Sequence, residues 1–487
     1  MAKRIITNIS PDETRMAVLE DGELIDVSIE RNQSGHIVGN IYKGKIKNVL
    51  PGMQAAFIDI GIDKNAFLYV GDIFPYVPSR ATPKDKILTV GQDILVQIVK
   101  DAFGAKGPRA TTHLTLPGRY VVLMPTVDYI GISRRIAANG ERERLRELAE
   151  KVRPAGMGVI IRTVAEGKTE EDLIKDIEYL HNLWQSLTVR SKRSKAPCVL
   201  YRDVDLVIRI VRDYFSADVE EFIVDHQEAH TRVLDLLAHH SPELATRTKL
   251  YQGDDIFSFY GLESEMKKLE ERQIELHCGG YIIIDRTEAL TVVDVNTGKF
   301  IGRTNLEDTV FRTNLEAAAE IARQIRLRDI GGIIIIDFID MESTEHQKAV
   351  LDALTEKLKQ DRTKSNVVGI TGLGLVEMTR KKSRQSLDAV LFSDCPCCEG
   401  RGKVKSPATV AINVRRQLRR LAGSGRSGDK LIIQVHPQVA EVFLQKGELE
   451  RLNQEMARTI SVEPVPAMHP EAFSILQDQN QSIKGST

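Results

Sequence analysis

Four consecutive isoleucines between two glycines and an aspartate, Gly331-Gly332-Ile333-Ile334-Ile335-Ile336-Asp337, constrain this chain more than any other segment. Such a run reads as a strand buried on both faces of a sheet and ending in a carboxylate. The flanking sequence agrees. Gly279 to Asp285 reads as a buried strand, a short turn at Arg286 to Ala289 follows, and Leu290 to Asn296 reads as a second strand. A helix comes next, with Thr313 and Glu316 as a candidate capping box and Leu315, Ala318, Ala322 and Ile325 on its inner face. Residues 273–392 therefore form the clearest α/β segment.

Composition sets the frame around that segment. A chain of 487 residues is too long for one ordinary core and should fold as two to four domains, which a 42% hydrophobic content can fill. With 67 Lys+Arg against 68 Asp+Glu the net charge is −1, so no globally basic surface exists and any nucleic-acid site must be local. The charged N-terminus lacks a following apolar stretch and no 18-residue apolar run occurs, so neither a signal peptide nor a membrane span is expected, and the cytoplasm is the expected location. Five cysteines are no disulfide framework.

The acidic residues of the α/β segment carry chemistry. Strand alternation places Asp294 and Asn296 on one face, with Val293 and Val295 on the other. Two strands ending in Asp294 and Asp337 can bring both carboxylates to the carboxyl edge of one sheet, where α/β active sites lie. A Mg²⁺ ion takes one or two protein carboxylates and keeps several waters. The competing reading is that these aspartates cap turns. Asp340, three residues on, faces away from Asp337 if the strand continues.

Residues 36–118 differ, with short strand-like runs broken by Gly and Pro that fit a five-stranded barrel. They carry ten Lys/Arg against six Asp, a local charge of +4, and Lys43, Lys45 and Lys47 alternate onto one face. Phe57 and Phe67 either fill the barrel or present rings to bases. Further on, a strand at Met157 to Ile161 leads into Arg162-Thr163 just before a helix start near Thr169. That pair either is an ordinary exposed loop or ligates a phosphate through the guanidinium fork and the hydroxyl. Basic residues also follow at Arg380-Lys381-Lys382-Ser383-Arg384, a candidate RNA-backbone contact, and at Arg415-Arg416 and Arg419-Arg420, read as a solvated helix face.

Cys395-Pro396-Cys397-Cys398 contains a C-x-x-C pair, Cys395 and Cys398, with glycines after it. A structural Zn²⁺ wants four ligands, so either distant residues complete the site or two chains share the ion. An inert or redox pair is the competing reading, weakened by the lack of a recognisable thioredoxin-like βαβ context in the sequence.

Two segments resemble the catalytic motifs of the bacterial ribonuclease E/ribonuclease G family: Leu290 to Thr297, and Arg323 to Met341. The resemblance runs over essentially the whole chain. It implies a multidomain α/β fold with an inserted OB-type (S1) β-barrel. In that layout residues 1–35 and 209–272 form an RNase H-like subdomain, 36–118 the S1 RNA-binding barrel, 119–208 a 5′-phosphate sensor and 273–392 a DNase I-like catalytic subdomain. Residues 393–406 form a zinc-link and 407–487 a small C-terminal α+β domain.

The resemblance further implies that Asp294 and Asp337 hold a catalytic Mg²⁺ assisted by Asn296, and that Phe57, Phe67 and Lys106 contact RNA. It implies that Arg162 and Thr163 bind an RNA 5′-monophosphate against a wall of Gly118, Val122 and Arg134. Cys395 and Cys398 of two protomers would hold one Zn²⁺ and a homodimer, with a higher oligomer allowed. The expected activity is single-strand endonucleolytic hydrolysis at A/U-rich sites in ribosomal RNA precursors and messenger RNA, leaving 3′-hydroxyl and 5′-phosphate ends. Two rivals stand beside it: a non-catalytic S1-type RNA-binding or assembly factor, and a Mg²⁺-dependent nuclease acting on DNA. Intact Asp294, Asn296 and Asp337 argue against the first, and the S1-like barrel against the second.

Overall fold

Asp21 and Gly22 both take positive φ, 51° and 90°, and turn the chain between strands Glu13–Glu20 and Glu23–Arg31 as a two-residue hairpin. Strand Lys3–Ile9 pairs antiparallel with the first of these and parallel with Val219–Val224, far along the chain. The resulting five-stranded sheet packs Ile5, Met16, Val18 and Phe222 against Val207, Ile210 and Val211 of the helix Leu206–Asp213. The computed structural model describes residues 2–31, 37–72, 88–102, 106–203, 205–298, 306–382, 385–423, 430–445, 447–477 and 482–484. These fall into two units, 1–390 and 391–487.

Within the first unit, strands Ile41–Leu50, Ala55–Asp59, Ala66–Tyr69, Arg109–Thr111 and Asp93–Lys100 pair in that order, and the last returns to the first. This closes a five-stranded barrel around Ile46, Ile58, Leu68, Val96, Ile98 and Ala110. A sixth strand, Cys198–Tyr201, adds to the outer edge of Ile41–Leu50. A separate four-stranded sheet contains Val121–Met124 and Gly158–Ile161, covered by the helices Asn139–Val152 and Glu170–Arg193. The longer helix starts as its sequence predicts: Thr169 and Asp172 form a reciprocal capping box.

The isoleucine run lies in a six-stranded mixed sheet, ordered Gln273–Glu275, Tyr281–Arg286, Leu290–Asn296, Gly332–Asp337, Val376–Arg380, Ser365–Ile370. Helices Leu306–Leu327 and Thr344–Lys359 both cover one face, over Ile282, Val293, Val295, Ile334, Ile336 and Met378. The opposite face stays open, with Ile333 50% and Val368 65% exposed. The run is thus buried on one face only, because helices cover only one side and alternation turns Ile333 and Ile335 away from them. The capping box expected at Thr313 is also absent. The helix begins at Leu306, Thr313 donates to the Thr309 carbonyl, and the Glu316 carboxylate accepts the backbone N–H of His277 and Cys278 in the turn before the second strand.

In the second unit, Lys430–Val435 pairs parallel with Thr459–Pro464 and antiparallel with Phe473–Gln477. Helices Pro437–Leu444 and Glu448–Met456 connect the parallel pair, which makes the βαβ unit not foreseen from sequence. Among the described residues no helix is long and apolar enough to cross a membrane.

Candidate active site

Register brings the two predicted carboxylates together. Asp294 and Asp337 are paired residues of adjacent parallel strands, at or next to the carboxyl end of each. Alternation places both, with Asn296, on the open face of the sheet. The Asn296 side-chain amide donates to Asp294 Oδ2 at 2.9 Å, which fixes the Asp294 rotamer and leaves the amide oxygen for another partner. Burial pushes the Asp337 carboxyl above its ordinary range, and repulsion from Asp294 and Asp340 adds to the shift. The condition under which Asp340 would face away is not met, because the strand ends at Asp337 and alternation stops there.

Asn314, wholly buried in the Leu306–Leu327 helix, holds the turn that carries Asp340. Its amide donates to the Ile339 carbonyl at 2.8 Å and accepts the Ile339 N–H at 3.1 Å. Sequence reasoning missed it; the available signal was a polar residue in phase with the apolar helix stripe. Two carboxylates, a third nearby and an amide oxygen, crowded with like charge, are the donor set of a hard divalent cation. Among the described residues no three His, Cys, Asp or Glu side chains close into a metal cage, so an ion here would keep much of its water.

A second cluster surrounds Arg162. Its Nη1 donates to the Gly118 carbonyl at 2.6 Å and its Nη2 to Asp213 Oδ1 at 2.5 Å. Thr163 Oγ1 bonds Ser133 Oγ at 2.8 Å, next to the exposed Arg134. Val122 is half-buried in the strand beside Ile160. A side chain at Gly118 would collide with the Asp176 carboxylate, 2.5 Å from an added Cβ. That carboxylate is buried and accepts the backbone N–H of Arg119, Tyr120 and Val121, so it fixes the Gly118 turn. Arg162 and Thr163 do not sit directly before a helix: a 3₁₀ turn, Thr163–Ala165, comes first.

On the barrel, Phe57 and Phe67 are cross-strand partners in an edge-to-face pair, ring centroids 5.8 Å apart. Both are half-buried on the outer face rather than in the interior. Register continues the row through Arg109 to Lys100. Lys106 is exposed, and Gly107 beside it lies against the Asn65 carbonyl; Gly104 and Ala105 fall outside the described residues. The three-lysine row is less regular than expected. Lys43 donates to the Ser191 and Ser194 carbonyls, and Lys47 sits at a bulge, 3.3 Å from Asp59. Among the described residues, Lys45 alone of the three makes no ion pair.

Arg380 is no RNA contact: it is buried between Asp329 and Asp361, with Nε 2.6 Å from Asp361 Oδ2. Lys381 and Lys382 are exposed, and residues 383 and 384 lie outside the described residues. Arg415 and Arg419 are likewise engaged, with Glu448 and Glu455.

In the second unit, the segment from Cys395 folds into a knuckle. Glu399 N donates to the Cys395 carbonyl, Gly402 N points at Cys398 Sγ at 3.2 Å, and Glu399, Gly400 and Gly402 take positive φ. Backbone N–H groups of Cys398 and Cys397 lower the Cys395 thiol below its ordinary value. The backbone carbonyl of Cys397 meets His469 Nε2 at 2.6 Å. The C-x-x-C pair of one chain, Cys395 and Cys398, offers two thiols, half of a tetrahedral set, with Cys397 between them also a free thiol.

Comparison with known proteins gives the family. Residues 115–383 match the model of the ribonuclease E/G family, and residues 394–479 that of the RNase E/G thioredoxin-like domain. The chain belongs to the ribonuclease E/G family. It is 43% identical to ribonuclease G of Salmonella typhimurium (strain SL1344) and 42% identical to ribonuclease G of Escherichia coli (strain K12), over 98% of this chain and 100% of each relative. A ribonuclease E of Nostoc is 40% identical over 82% of this chain but only 59% of its own length. The thioredoxin-like match corrects the expectation that no such context surrounds the cysteines. The C-x-x-C nevertheless precedes the first helix of that unit, Pro407–Gly423, and does not open it as a redox pair would.

Proposed function

We propose that the chain is an endoribonuclease that hydrolyses single-stranded, A/U-rich RNA with Mg²⁺, is stimulated by a 5′-monophosphate, and acts in the cytoplasm on ribosomal RNA precursors and messenger RNA. The observation that carries the reading is the in-register pairing of Asp294 with Asp337 on an open sheet face, with Asn296 bonded to Asp294. Asp294 and Asp337 hold the Mg²⁺, and Asn296 keeps Asp294 in one rotamer. When bound, the ion supplies positive charge to the phosphodiester and makes a water more acidic. Phe57 and Phe67 stack bases while Lys106 meets the backbone, which keeps a strand extended and unpaired. Arg162 and Thr163 receive the 5′-monophosphate, with Gly118, Val122 and Arg134 limiting the room for a triphosphate. Cys395 and Cys398 of two chains share one Zn²⁺ and hold a homodimer.

The test is cleavage of an A/U-rich oligomer bearing a 5′-monophosphate or 5′-triphosphate, with Mg²⁺ or chelator. Cutting should require Mg²⁺, run faster on the monophosphate, yield 3′-hydroxyl ends and nearly vanish in Asp294→Asn. Retained cutting in that variant removes the metal-site assignment, and equal rates on the two RNAs remove the sensor.

A further inference from the structure

The Arg162 guanidinium has five N–H donors. Two are held by protein acceptors: the Gly118 carbonyl on one nitrogen and Asp213 on the other. Asp213 is itself gripped from several sides. Arg212 donates to both of its carboxylate oxygens at 3.1 Å, and Arg362 Nη1 donates to its backbone carbonyl at 2.8 Å. The Arg362 guanidinium also lies over the Tyr214 ring at 3.8 Å. Arg119, buried, donates to the Val211 and Phe215 carbonyls at the same helix end.

The C-terminal turn of helix Leu206–Asp213 is thus held by Arg212 of the same helix and by two arginines from elsewhere, Arg119 and Arg362, and Asp213 projects from it to Arg162. The nearby charges favour the ionised carboxylate and lower its pKa although burial opposes them. A guanidinium tethered at two nitrogens has lost most of its rotamer freedom before a ligand arrives.

We propose that Asp213 is the positioning residue of the 5′-phosphate pocket: its carboxylate, gripped by Arg212 while Arg362 holds its backbone carbonyl, keeps the Arg162 fork placed so that the remaining donors meet an incoming phosphate. This rests on the sensor reading above and adds a residue that never touches the phosphate. Removing the carboxylate frees Arg162 to sample other rotamers, so the phosphate must then order it.

The experiment compares kcat/KM on one RNA bearing a 5′-monophosphate or a 5′-hydroxyl, in the wild-type full chain, Asp213→Asn and Asp213→Glu. The ratio of the two substrates isolates the sensor. Asp213→Asn should lower it by about tenfold, the value of one charge-assisted hydrogen bond, through KM on the monophosphate, with the hydroxyl substrate unchanged. Asp213→Glu, which keeps the charge but displaces it, should give an intermediate ratio and decides the matter if the Asn variant does not fold. An unchanged or raised ratio overturns the inference, as does an equal fall on both substrates, which marks general structural damage. A wild-type ratio of one removes the sensor reading and this inference with it, whereas a wild-type preference that survives both substitutions leaves the sensor standing and removes Asp213 alone.

Discussion

The carboxylate edge of the six-stranded sheet and the Arg162 cluster are opposite solutions to placing charge on a protein. At the sheet edge, burial and then the nearby charges of Asp294 and Asp340 push the Asp337 carboxyl upward. Around Arg162, the charge is matched inside the chain by Asp213, and Asp213 by Arg212. In the first arrangement nothing offsets the push on Asp337, and the proposed Mg²⁺ would do so. The second is complete but directional, with donors left over. Arg380, closed between Asp329 and Asp361, is the limiting case of a guanidinium consumed by its own chain, with nothing left to offer. An unbalanced cluster therefore marks where a ligand is required, and a balanced one marks either scaffold or a pre-set fork.

Substitutions can break this contrast in order of size. Asp337→Asn removes the surplus charge and should lower kcat by about 10³-fold or more, the scale of lost electrostatic stabilisation at a reacting phosphate, while thermal stability holds or rises. A melting curve beside a cleavage assay checks both halves, and a stability loss without an activity loss would reverse the assignment. Arg380→Ala does the opposite. It strands two buried carboxylates and should cost about 3–5 kcal/mol of stability, read by denaturant titration. Cys395→Ser with Cys398→Ser should abolish bound zinc by elemental analysis and shift mass toward monomer by light scattering; an unchanged mass would place the dimer contact elsewhere. Phe57→Ala should raise KM for single-stranded RNA by an amount matching ~1–3 kcal/mol for one stacked base and leave kcat nearly constant.

The smallest effect follows from acid. Asp213 ionises below the ordinary carboxylate value in the folded chain. Its ion pairs therefore stabilise fully above that ordinary value and are lost as pH falls toward the folded one. Melting in Asp213→Asn should depend less on pH across that acidic window than in wild type, as differential scanning calorimetry would show.

How much of this was legible beforehand depended on the range of the signal. Local signals were reliable: the helix start near Thr169 and the two strands carrying the acids follow from neighbouring residues. The pairing of Asp294 with Asp337 also followed, because two strands joined through one helix leave few registers. Failures came where a distant partner decides. The isoleucine run looked buried on both faces, yet nothing in it could say that helices cover only one. Lys43 and Arg380 read as basic surface and were consumed by the Ser191 and Ser194 carbonyls and by Asp329 and Asp361. Asp213 drew no notice, since its meaning lies in Arg162, far away in sequence. The family motifs supplied site residues that spacing alone left ambiguous.

The pairing of Lys3–Ile9 with Val219–Val224 has a consequence for synthesis. The Glu13–Arg31 hairpin and the strand before it leave the ribosome well ahead of Val219–Val224, so one edge of Lys3–Ile9 has no partner until residue 219 and beyond have been translated. At about 5–20 residues per second that wait is on the order of 10–40 s. The barrel, whose strands all lie between residues 41 and 111, has closed its own edges by then. The first strands made are among the last completed, and for that interval an apolar strand edge carrying Ile5 and Ile6 is open to any passing chain. Nascent-chain chaperones should find this protein early, and a fragment ending before residue 219 should aggregate through its oldest residues.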